Sequence, residues 1–204
     1  MQHMNTENPT QSYDVRSHIL ATGQRIMSGK GYSAVGLNEI LTAAGVPKGS
    51  FYHYFGSKDA YGEAMLTRYF DDYLSELDHI FQQPGLTAAQ RLMNYWASWQ
   101  VSQSFDNCQG KCLAVKLGAE VADLSEAMRL VLRRGTAQIV GRLAEALAAG
   151  IADRSLTVDG DPDGVAESLY QLWVGASIMA KIERTTRPFG TALAATRQML
   201  HLAR

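Results

Sequence analysis

Residues Asn38 to Asp59 read NEILTAAGVPKGSFYHYFGSKD, and this stretch decides the fold. Ile40, Ala44, Val46, Phe51 and Tyr54 supply apolar positions at helical spacing, and Gly45 stands where the chain must turn sharply. Gly tolerates the left-handed backbone that ends a helix, and Pro47 suits the start of the next because its missing N–H costs nothing there. The pattern is a short helix, a turn and a second short helix. That is a helix-turn-helix, whose second helix enters the major groove of double-stranded DNA.

Physical roles follow by position. Lys48 opens the second helix, where it reaches a phosphate or a guanine edge, and Gly49 lets the DNA backbone approach closely. Ser50, Tyr52 and His53 lie on the face opposite Phe51 and Phe55, so they point to the groove, whereas Tyr54 belongs to the core. Lys58, beside the N-terminus of the following helix, is a phosphate clamp. The competing explanation is an aromatic-rich packing segment of an ordinary helical protein.

Charge limits how such a head binds. Nineteen basic and twenty acidic side chains give a net charge of -1, so any positive surface is local. Between Gly45 and Ser57 the only formal charge is Lys48. Affinity must therefore come from two copies and from neutral phosphate contacts.

Outward from this stretch the reading is all α. Met1–Tyr13 is polar, contains Pro9 and shows no periodicity, as expected of a disordered tail. Ile19, Leu20, Gly23, Ile26 and Met27 share one helical face. Ser57 is the expected N-cap of a long helix toward Phe81. Pro84-Gly85 breaks the chain before a helix from about Thr87 to Phe105, and Asp106–Lys111 reads as a loop. Cys112 then opens an apolar run through Val121. Ser125 or Asp123 caps the next helix, which reaches about Gly150, and Asp161-Pro162 is a strong start for another. A last helix follows Arg187-Pro188 and ends near Leu200.

Hydrophobic residues are 46% of the chain and charged residues 19%, ordinary for a water-soluble globular protein. The longest apolar stretch, Leu169–Ile182, is interrupted by Gln171 and Lys181, too short and polar to cross a bilayer. Two cysteines make no disulfide framework, and the N-terminus shows no secretion signal. The expected location is cytoplasmic. The five histidines do not cluster with the cysteines, so no metal site is expected, and nothing calls for a cofactor.

Gly49-Ser50-Phe51-Tyr52-His53-Tyr54-Phe55, followed by Ser57-Lys58-Asp59, resembles the DNA-binding signature of the TetR family of transcriptional regulators. The likeness covers residues 14 to 66. It implies a nine-helix homodimeric repressor without catalytic activity, bound to a palindromic operator and released by a small-molecule inducer. In this resemblance residues 14–60 form the DNA-binding domain and 61–204 a regulatory and dimerisation domain, with a ligand cavity in the latter and the last two helices pairing with a second copy. A narrower likeness, in VPKGSFYHYFGSK and KCLAVKLGAEVADLSE, is to the branch containing the repressor of N-ethylmaleimide reductase, which senses reactive electrophiles. Two departures stand out. Leu41 replaces a small Ala, and Gly36 replaces a capping Thr, which removes one phosphate-contacting hydroxyl.

Three further sites are open to two explanations each. Trp96, Trp99, Trp173 and Met179, with Tyr95, either line a ligand pocket between helices or pack the core. Cys112 sits where a loop becomes a helix, with Lys111 adjacent and Lys116 one turn on, which favours a reactive thiolate; the alternative is an inert buried side chain. Cys108, in the loop, is a weaker sensing candidate, a resolving thiol. Lys181 either snorkels to solvent or pairs with Glu183, Glu120 or a Cys112 thiolate. An enzyme using Cys112 as nucleophile would need a histidine and an orienting carboxylate nearby, and the C-terminal half holds no histidine before His201.

Overall fold

A computed structural model describes residues 9–108 and 112–202, with side chains over 15–104 and 112–202. Nine helices and no strand occur among the described residues: α1 Pro9–Lys30, α2 Leu37–Ala44, α3 Lys48–Tyr54, α4 Lys58–Phe81, α5 Ala88–Cys108, α6 Leu113–Leu124, α7 Glu126–Ala152, α8 Pro162–Glu183 and α9 Arg187–Met199.

The α2–α3 turn follows from its residues. Gly45 takes φ 64 and ψ 30, and its amide turns back to the carbonyls of Leu41 and Thr42. Pro47 then holds an extended N-cap at φ -70 before α3. Gly36 N-caps α2 without any side-chain bond, as a residue lacking a hydroxyl must. Leu41 is buried in place of the smaller residue. Phe51 and Phe55 fold inward on Tyr61 of α4, with ring centroids 5.4 and 5.1 Å away. The Tyr61 hydroxyl donates to the Ile19 carbonyl at 3.0 Å, fastening α1 to α4.

Side-chain caps start the long helices. Ser57 accepts from the Ala60 amide at 3.0 Å, Ser125 from Met128 at 3.5 Å, and Asp161 from Gly164 at 3.4 Å with Pro162 in the first turn. Each fills an amide that the helix itself leaves unpaired. α4 runs from the head into the body and packs along α7, where Gly135 leaves room for the Phe70 ring. Arg142 on α7 pairs with Asp78 on α4 at 2.6 Å. α8 packs between α7 and α9.

Two boundaries differ from expectation. α1 is helical from Pro9, so part of the expected tail is structured; residues 1–8 lie outside the described residues. α5 continues through Cys108, because no Gly or Pro interrupts SFDNC. The remainder of the expected loop, 109–111 including Lys111, also lies outside them.

Candidate nucleic-acid interface and sensing cavity

α3 presents a thin polar face. Lys48, Gly49, Tyr52 and His53 are exposed and Ser50 is half-buried, while Phe51 beneath them is fully enclosed. Lys48 Nζ lies 5.8 Å from the Tyr52 ring centroid, so the cation and the aromatic share one surface. Tyr54 is half-buried against the core. Lys58 is less free than a phosphate clamp should be: its ammonium donates to the Tyr32 carbonyl at 3.0 Å and sits 4.4 Å from the Tyr32 ring. With three donors, it keeps capacity for a second partner.

In the body, a cavity of about 210 Å³ opens among α1, α4, α5 and the head of α6. Tyr69, Tyr73, Tyr95, Trp99, Gln103 and Cys112 are among its walls. Of the four residues expected to line a pocket, Trp99 does so; its indole N–H donates to Ser177 at 2.9 Å. Trp96 and Trp173 do not. They stack on each other at 4.7 Å and 12° in the fully buried core, where flat apolar rings gain most from burial and stacking. Met179 stands 44% exposed on the outer side of α8.

Cys112 is the N-cap of α6 and is buried, with the Tyr69 hydroxyl donating to its sulfur at 3.4 Å. Burial pushes the thiol above its usual range; the Tyr69 hydroxyl, the amides of Val115 and Ala114 and the charge of Lys181 pull it down without prevailing. Of the two explanations for Cys112, this burial favours a neutral thiol at rest. Desolvation outweighs the hydrogen bonds and the charge that reach the sulfur. Tyr69, Tyr73 and Tyr95 are likewise held neutral, chiefly by burial, and Tyr73 and Tyr95 bond each other at 2.8 Å.

Lys181 is half-buried. Burial first, and then repulsion from Lys116, lowers its pKa, while the Cys112 thiolate form would raise it. Neither of the other expected partners takes it: Glu183 pairs with Arg187 at 2.8 Å, and Glu120 accepts the amides of Tyr32 and Ser33. Cys108 closes α5, and its side chain lies outside the described residues. Sequence reasoning missed Tyr69 as a partner of Cys112 and named Glu120 only as a partner for Lys181. Tyr69 looks like any other member of the α4 stripe, and only the fold brings Glu120 to a partner 88 positions away.

Comparison with known proteins agrees with this geometry. Residues 19–65 match the family model described as bacterial regulatory proteins, tetR family. Residues 88–196 match the tetracyclin repressor-like C-terminal domain. The chain belongs to the TetR family. The TetR regulators similar to it include the HTH-type transcriptional repressor NemR of Escherichia coli strain K12, 40% identical over 197 residues, covering 95% of this chain and 97% of that protein. The HTH-type transcriptional repressor DhaR of Mycobacterium sp. strain GP1 is 33% identical over 174 residues, 85% of this chain and 86% of the relative. The crystal structure of the reduced form of E. coli NemR superimposes with a TM-score of 0.88 at 41% identity, over 92% of this chain and 97% of that one. This TetR chain is accordingly a DNA-binding regulator of transcription and not an enzyme. No described helix is long and apolar enough to cross a membrane.

Proposed function

We propose that this chain is a homodimeric repressor that binds a palindromic operator through two α3 helices and leaves it when a small molecule or electrophile reaches the α4–α5–α6 cavity. Residues 14–60 act as the DNA-binding head and 61–204 as the regulatory and dimerisation body. Lys48, Gly49, Ser50, Tyr52, His53 and Lys58 carry the DNA contacts, in the cytoplasm.

The observation that carries the sensing half is Cys112 itself. A thiol at the head of a helix forms part of a cavity wall and receives a phenol hydrogen bond. A thioether formed there adds volume to a space of about 210 Å³, so α6 or its neighbours must yield. Lys181 and Cys108 are the accessory groups of this reading. The name of the E. coli relative, a transcriptional repressor, supports the repressing sense.

Dimerisation is assigned to α8 and α9. Ile178, Met179 and Ile182 are 43%, 44% and 68% exposed along α8, an apolar strip beside Pro188 and Ala192 of α9. A large apolar strip on a water-soluble chain marks an interface. The second copy supplies the fixed spacing of about one helical turn of DNA that two weakly charged heads need.

A second reading has its own support. The raised thiol pKa and the aromatic walls also suit an apolar ligand bound without covalent chemistry, Cys112 being structural. One experiment separates the two: anisotropy of fluorescent promoter DNA with wild type and Cys112→Ser, before and after N-ethylmaleimide, with mass spectrometry of each thiol. Release of the wild type and not of Cys112→Ser is expected. Equal release of both variants refutes sensing at Cys112 and keeps the repressor.

A further inference from the structure

We propose that Glu120 is the positioning residue that couples the sensing helix to the DNA-binding head, its carboxylate on α6 gripping the backbone just after α1. The proposal rests on the reading of Cys112 as the sensor.

Glu120 spends both oxygens on one backbone segment: Oε2 accepts the Tyr32 amide at 3.0 Å and Oε1 the Ser33 amide at 2.7 Å. Gly31, at φ +93, sets the turn that aims the following amides at one acceptor. Two charge-assisted bonds to neighbouring amides fix direction as well as distance. Burial raises the Glu120 carboxyl, but the bonds from Ser33 and Tyr32 and the nearby Lys116 outweigh it and hold it ionised below the usual carboxylate range.

The chain of contacts continues from Tyr32. Its hydroxyl reaches the Lys58 carbonyl at 3.0 Å and Asp59 Oδ1 at 3.1 Å, and its own carbonyl takes Lys58 Nζ at 3.0 Å. Lys58 and Asp59 form the first turn of α4, which follows directly on α3. At the opposite end of α6, eight residues or about 12 Å along the axis, stands Cys112. One rigid helix therefore touches the cavity at its start and the head near its finish. Hydrogen bonds are directional and weaken steeply when donor and acceptor are pulled apart by about an ångström or tilted out of line, so a displaced α6 loosens this grip.

The test uses the full chain, labelled promoter DNA and N-ethylmaleimide. Wild type, Glu120→Ala and Glu120→Gln are compared by the ratio of operator Kd after and before alkylation, with the labelling rate of Cys112 as control. Hydrogen exchange is followed at the Tyr32 and Ser33 amides. Expected are unchanged labelling, near-wild-type binding before alkylation, a release ratio about tenfold smaller in Glu120→Ala, and a smaller loss in Glu120→Gln, which keeps one acceptor oxygen. In the wild type, exchange at the two amides quickens on alkylation. An unaltered ratio in both variants, or unaltered exchange, overturns the coupling role alone. Loss of operator binding by unmodified but folded Glu120→Ala also overturns it, because Glu120 would then build the head and relay nothing. Wild type that holds its operator when alkylated refutes the sensing reading, and the coupling role with it.

Discussion

Replacing Tyr69 by Phe removes one hydroxyl from the sulfur of Cys112 and leaves the ring in place. In the native chain that hydroxyl donates across 3.4 Å, a long bond to a soft acceptor within a buried site. It stabilises thiolate more than thiol, because a donor interacts more strongly with the charged acceptor. A hydrogen bond contributes about 0.5–1.5 kcal/mol net, and sulfur at this distance belongs to the lower part of that range. A differential of about 0.5–1 kcal/mol makes the thiolate roughly two- to fivefold scarcer at any pH below its midpoint. Alkylation by iodoacetamide, followed by mass spectrometry of the intact chain, should slow by that factor in Tyr69→Phe. Because burial already holds the thiol above its usual range, the wild-type rate climbs with pH throughout the neutral region, and the variant's profile is displaced to still higher pH. A profile that does not move, or that moves to lower pH, refutes the assignment of Tyr69. A faster rate with an unmoved profile would show that the hydroxyl blocks access and does not stabilise the thiolate.

Other expectations test separate parts of the molecule. Lys48→Ala should weaken binding to all DNA sequences alike and reduce the salt dependence by about one per head; an unchanged salt slope would take Lys48 off the phosphates. Gly135→Ala drives a methyl into the Phe70 ring between α4 and α7, and should cost about 1–3 kcal/mol, read as a lower urea midpoint at constant slope. Ile182→Asp, at the most exposed apolar position of α8, should shift sedimentation toward monomer and weaken operator binding together. A variant that remains dimeric would place the interface elsewhere.

The head was legible because its chemistry is local. Gly45, Pro47, Ser57 and the Asp161-Pro162 pair dictate backbone conformation within a few residues, and each does in the fold what its neighbours imply. The body was legible as helices and less so as a site. Trp96 and Trp99 sit almost one turn apart on α5, yet one stacks in the core and the other faces the cavity, a difference set by where α8 crosses. Cys112 was placed correctly at a helix start, but its titration depends on how deeply α4 and α5 cover it, which spacing does not report. Glu120 reads as a candidate partner of Lys181; its bonds to Tyr32 and Ser33 arise only from the docking of α6 on the end of α1.

The tryptophans give the molecule a built-in optical division. All three lie in the body, at 96, 99 and 173, and none in the head. Trp99 forms part of the cavity wall, while Trp96 lies nearly parallel to Trp173, and Trp173 to Phe189. Emission excited selectively at indole is therefore blind to the DNA-reading end and colours only with what happens around the cavity. The stacked pair adds a near-ultraviolet dichroism sensitive to small rotations of α5 against α8. Observed beside a dye on the operator, these signals would time the arrival of the effector and the departure of the DNA as two separate clocks.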